Sequence, residues 1–151
     1  MPIINHAGQC TTDLDRATRF YVELLGFVVE RALDVPARAV GPLLGLDPPI
    51  ALRAVYLTLE GFTLELLAFD GPDNPAWSPR VMNDPGLTHL SISVDDFDEV
   101  LARVESLGGQ IFTRLPNAAM VRDPDGQLVE ILPMSYRDQF LPKVQAGPSH
   151  T

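Results

Sequence analysis

The chain has a single cysteine, Cys10, so no disulfide can form within it and the fold must be held by packing and hydrogen bonding. It is short of positive charge: eleven Lys and Arg stand against twenty Asp and Glu, a formal net charge of −9, and no basic cluster interrupts the acidic excess. Nucleic acid and anionic membrane surfaces are therefore excluded as expected partners. No apolar run approaches the length of a bilayer span. The first residues, MPIINHAGQC, carry neither a basic segment nor an apolar one of the kind that targets a chain for export, and the expectation is an unprocessed cytoplasmic protein. What is present is ordinary globular material, 151 residues of which 46% are hydrophobic, enough for one domain with its own core.

The organisation is a duplication. HAGQCTTDLDRATRFYVELLGF begins at His6 and HLSISVDDFDEVLARVESLGGQ at His89; the offset is 89 − 6 = 83, and Gly109 − Gly26 is also 83. Each copy opens on a short extended segment, turns at a Thr/Asp-rich corner suited to a helix N-cap, runs with helical periodicity and stops at a glycine. Leu14, Ala17, Phe20, Tyr21, Leu24 and Leu25 form the apolar stripe of the first helix; Phe97, Val100, Leu101, Val104 and Leu107 form that of the second. The copies also close alike, EGFTLELLAF against DGQLVEILPM, with 130 − 65 = 65 separating the two embedded glutamates. FVVERALDV and LRAVYLTLE in the first copy, QIFTRL and AAMVRD in the second, read as further strands. The expectation is an α+β fold written twice as strand, helix and three strands. It forms a single domain over residues 1–134: module 1 (3–69), a Pro/Asp/Asn-rich linker (70–85) and module 2 (86–134), followed by a tail (135–151).

Glu65 sits in the run FTLELLAF, where a solvated carboxylate has no obvious place, so it calls for a partner: a base, a donor or a metal. Strand alternation puts His89, Ser91 and Ser93 on one face, opposite Leu90, Ile92 and Val94. In the first copy Ile4, His6, Gly8 and Cys10 correspond, and Glu65 and Glu130 take equivalent positions in the closing strands. Two imidazoles and two carboxylates would line one cleft if the copies pack about a pseudo-twofold axis. Such a set suits a divalent ion of intermediate hardness, with positions left for water or substrate.

These segments, His6, RFYVELLGF, GFTLELLAF, GLTHLSISVDD and RDPDGQLVEIL, resemble the vicinal oxygen chelate superfamily, which includes glyoxalase I, methylmalonyl-CoA epimerase, extradiol dioxygenases and the fosfomycin and bleomycin resistance proteins. The resemblance implies two tandem βαβββ modules forming a half-open barrel around one divalent metal (Ni, Co, Zn, Mn or Fe) held by His6, Glu65, His89 and Glu130. It implies a homodimer acting on a small-molecule substrate. A full His, Glu, His, Glu set looks most like glyoxalase I or an acyl-CoA epimerase, a lyase or isomerase that moves a proton next to a carbonyl. Glu130 is then the expected base and Glu65 its counterpart. The alternatives are an Fe(II) extradiol dioxygenase, which needs no glutamate at the position of Glu65, and a binding or resistance protein acting by sequestration. The insert PARAVGPLLGLDPP reads as a lid, with Arg38 and Arg53 as cations for an anionic substrate and Ser91 as a hydroxyl facing the cleft.

Overall fold

A computed structural model describes residues 2–46, 50–70 and 81–140. Trp77 in the linker and His150 in the tail lie outside the described residues. The elements follow the duplicated order: β1 (Ala7–Cys10), α1 (Leu14–Arg19), β2 (Val28–Val35), β3 (Leu52–Leu59), β4 (Phe62–Phe69), then β5 (His89–Val94), α3 (Phe97–Arg103), β6 (Gln110–Leu115), β7 (Ala118–Arg122) and β8 (Leu128–Pro133). Two helices are added. The insert carries α2 (Ala37–Leu44), and α4 (Met134–Phe140) follows the last strand. Each module makes one four-stranded mixed sheet, ordered β1-β4-β3-β2 and β5-β8-β7-β6, in which the first strand lies parallel to the last.

Local chemistry explains the helix boundaries. Asp13 and Asp96 are the N-caps, their carboxylates accepting from the backbone N–H of Arg16 and Glu99 at 3.0 Å each. Helix α1 runs on through a π-helical stretch, Phe20–Leu24, and α3 through a 3₁₀ turn, Glu105–Leu107. The left-handed residue that ends the second helix is Gly108 (φ 85°), one position before the Gly109 that the repeat matches to Gly26. Gly109 is fixed by space instead: a Cβ there would lie 2.6 Å from Phe20 Cε2, 2.7 Å from the Arg122 carbonyl oxygen and 3.0 Å from Val104 Cγ1. Because backbone is among the atoms met, Gly109→Ala should cost about 1–3 kcal/mol, measured as a lowered denaturation midpoint.

One continuous core joins the modules. Leu14, Ala17, Phe20, Tyr21, Leu24 and Leu25 are all buried and share a cluster with Ile92, Phe97, Leu101, Val104 and the inner residues of β3, β4, β7 and β8. The turn at Asp123 to Gly126, which the sequence presents only as a turn signal, adds a polar clasp between them. Asp123 Oδ2 accepts from Gln9 Nε2 at 2.6 Å and lies 3.0 Å from the Tyr21 hydroxyl, while Oδ1 accepts from the Asp125 and Gln127 amides at 2.9 Å each. Asp125 accepts from the hydroxyls of Thr11 and Thr12 and pairs with Arg16 at 3.4 Å. Burial raises the Asp123 carboxyl above its ordinary range, against the pull of its donors. A raised folded value means that this group favours the fold below its unfolded pKa, and that the contribution is lost as pH rises through the folded value. Among the described residues the two sheets remain separate and do not close into a barrel.

Candidate metal centre

Two cross-strand rungs build the site. In the first sheet β1 and β4 pair Gly8 with Glu65, and β4 and β3 pair Glu65 with Tyr56. His6, just before β1, sets Nε2 3.0 Å from Glu65 Oε2. Its ring meets Tyr56 edge-on at 5.4 Å. Buried Leu64, Leu66 and Ala68 take the opposite face of β4, so alternation alone aims Glu65 away from the core. Its side chain is 14% exposed and has two partners, because the Tyr56 hydroxyl also hydrogen-bonds it. That bond to the carboxylate, with burial behind it, raises the Tyr56 phenol above its ordinary value.

In the second sheet β5 pairs Ser91 with Glu130, and Ser91 Oγ donates to Glu130 Oε2 at 2.6 Å. His89 Nε2 lies 3.9 Å from the same oxygen. The other ring nitrogen, Nδ1, is 2.9 Å from the Thr88 hydroxyl, which fixes the ring and can accept Nδ1–H when Nε2 is used as a donor atom to a metal. Donors held about 2.0–2.2 Å from a common ion lie about 3 Å apart. The His6–Glu65 pair already has that spacing, and the His89–Glu130 pair is open by less than an ångström. The donor set of neutral imidazole and carboxylate fits a divalent ion. Among the described residues, however, no group of three or more His, Cys, Asp or Glu is close enough to hold one. The four residues come as two half-sites, one on each sheet.

Residues 3–131 match the Glyoxalase/Bleomycin resistance protein/Dioxygenase superfamily. The chain belongs to it. Among its relatives in the superfamily, a lactoylglutathione lyase of Arabidopsis thaliana is 28% identical over 129 residues, and a 2-epi-5-epi-valiolone epimerase of an Actinomyces species is 32% identical over 127. These matches take in 80% and 81% of this chain but only 40% and 63% of the relatives. The glyoxalase I of Leishmania major, described as trypanothione-dependent, superposes with a TM-score of 0.65 at 27% identity, covering 88% of this chain and 87% of that one. A glyoxalase family protein from Bacillus cereus reaches a TM-score of 0.72 at 19% identity, covering 85% and 91%, and shares the fold.

The remaining residues singled out in the sequence fall in different places. Arg38 is exposed near the start of α2. Arg53 pairs with Asp34 and Ala68, on the face of β3 that Val55 and Leu57 turn to the core, and so points away from Glu65. Cys10 pairs with Leu67 on the Glu65 face, but burial and the nearby Asp125 hold its thiol above the ordinary range, which suits a neutral thiol rather than a nucleophile. Ile4 is 90% exposed, since the strand starts only at Ala7. Tyr56 was missed by sequence reasoning because nothing in LRAVYLTLE singles it out; its signal is the register that places it opposite Glu65. Removing its hydroxyl while keeping the ring, Tyr56→Phe, should weaken metal retention about 10-fold, read by competition with a chelator.

Proposed function

We propose that this protein is a metal-dependent lyase or isomerase that moves a proton next to the carbonyl of a substrate chelated through two neighbouring oxygens. The observation that carries this reading is the repetition of a His–Glu pair at equivalent rungs of both sheets, His6 with Glu65 and His89 with Glu130. Relatives named as a lactoylglutathione lyase and an epimerase support it. The four residues would hold one divalent ion between two half-sites, each half supplied by a different protomer of a homodimer. When bound, that ion supplies positive charge beside the substrate oxygens and lowers the cost of negative charge developing on them.

The chain's own residues divide the work. Glu65 is held by His6 and Tyr56 and is only 14% exposed, which suits a fixed negative charge. Glu130 is 31% exposed, and Ser91 grips one of its oxygens, leaving the other to take the proton from one carbon and return it to its neighbour. Thr88 and Ser91 hold His89 and Glu130 in register, so that the proton moves over a short, fixed path.

The expected result is exchange of a substrate α-hydrogen with solvent deuterium, supported by Zn²⁺ or Ni²⁺ under anaerobic conditions. A panel of 2-oxo compounds, thioesters and catechols, followed by NMR and oxygen uptake together, tests it. Strict dependence on Fe(II) and O₂ with no exchange in any substrate would place the chain with the dioxygenases. Binding without turnover of any member would place it with the sequestering proteins.

A further inference from the structure

The rung that carries Glu65 extends one strand further than the half-site needs. Gly8, Glu65, Tyr56 and Arg31 stand directly opposite one another across β1, β4, β3 and β2. Arg31 reaches that position through an irregularity: Val29 pairs with Leu57 and Arg31 with Tyr56, so Glu30 is an extra residue, a β-bulge. Without the bulge Glu30 would oppose Tyr56, and a carboxylate would stand where the guanidinium now does. β6 has a matching bulge between Ile111 and Thr113, and the equivalent rung there reads Ser91, Glu130, Met120 and Thr113. The two rungs differ in charge: the cation is in module 1 alone. Among the described residues the Arg31 side chain makes no hydrogen bond or ion pair, its charge acting only on the Tyr56 phenol beside it, although the chain carries nine more acidic than basic groups. It lines an open groove of about 350 Å³ with Glu30, Leu33, Tyr56, Thr58 and Thr63.

We propose that Arg31 binds a carboxylate at the far end of the substrate, with the Thr58 and Thr63 hydroxyls as further donors, and so selects acids that carry vicinal oxygens at one end and a carboxylate at the other. This rests on the chelating site proposed for His6 and Glu65. Neighbouring strands lie about 4.8 Å apart, so Arg31 and Glu65 are separated by roughly 10 Å of backbone, which an arginine side chain shortens to the span of a few carbon atoms. An arginine fork matches a carboxylate in shape and in charge. Glu30 on the rim of the same groove disfavours a doubly charged group such as phosphate.

Calorimetric binding of two probes to the Zn²⁺-loaded protein tests the assignment. 2-Oxopentanedioate and 2-oxopentanoate share the chelating end and differ in the terminal carboxylate. The diacid should bind more tightly, on the order of 10-fold. The chain's net negative charge works against that order, so it cannot arise from overall attraction. Arg31→Leu should erase the preference by weakening the diacid alone, and Arg31→Lys should keep part of it. Arg31 is exposed, so neither change threatens the fold. A wild-type protein without the preference, or a Leu variant that retains it, overturns the assignment while binding of the monoacid shows the chelating site intact. If neither probe binds, the chelating site and the assignment fall together.

Discussion

Replacing Glu130 by Gln should lower turnover by a factor on the order of 10² to 10⁴, the loss expected if it is the general base of the proposed reaction. Gln keeps the shape of the side chain and an oxygen that can accept the 2.6 Å bond from Ser91, so the strand pair and its neighbours are undisturbed. It cannot take a proton at neutral pH. Metal retention falls far less, because His6, Glu65 and His89 are untouched. Glu65→Gln should divide the other way: it removes the negative charge that His6 and Tyr56 hold in place and leaves a neutral amide as a weaker metal ligand, so metal is lost first and activity with it. Single-turnover exchange of the substrate α-hydrogen, measured beside metal content for each variant, separates the two roles. Should Glu130→Gln keep exchange within about 10-fold of the parent while metal-replete Glu65→Gln does not, the base is Glu65.

The fold was legible because both signals that specify it are local and are stated twice. Asp13 and Asp96 cap their helices, the stripes from Leu14 to Leu25 and from Phe97 to Leu107 point inward, and β4 alternates around Glu65. His6, Glu65, His89 and Glu130 could be found for the same reason, since a residue type repeated at one offset stands out. What was hidden depends on register. The bulge at Glu30 decides that Arg31 rather than its neighbour faces Tyr56, and no composition or period announces a one-residue slip. Arg53 shows the same limit from the other side: its place on the core-side face of β3 follows from pairing with Ala68. Asp123 and Asp125 were hidden because their partners Gln9, Tyr21, Thr11 and Thr12 lie more than one hundred residues away in the chain.

Chains carrying His6→Ala and chains carrying His89→Ala should each lose metal and activity as homodimers, and mixing them should restore both to about half the parental level in the heterodimer. Each sheet brings together one imidazole and one carboxylate, His6 with Glu65 and His89 with Glu130, and among the described residues no larger ligand cluster exists and no strand pairing joins the two sheets. Under the proposed function, a complete site would pair module 1 of one protomer with module 2 of its partner. In the mixed dimer one site collects both lesions and the other collects none. If instead the modules of a single chain closed on each other, every site would carry one lesion and mixing would restore nothing. Differently tagged chains, co-expressed and purified through both tags, supply the heterodimer, and elemental analysis reads about one ion per dimer under the first arrangement. Both His residues are exposed enough at the cleft, 35% and 27% by side chain, that their removal should leave the core and the Asp123 clasp unchanged, so a loss of folding is not the expected source of either defect. Metal content that stays near zero in the heterodimer, with the parental homodimer fully loaded, would show that the site closes within one chain.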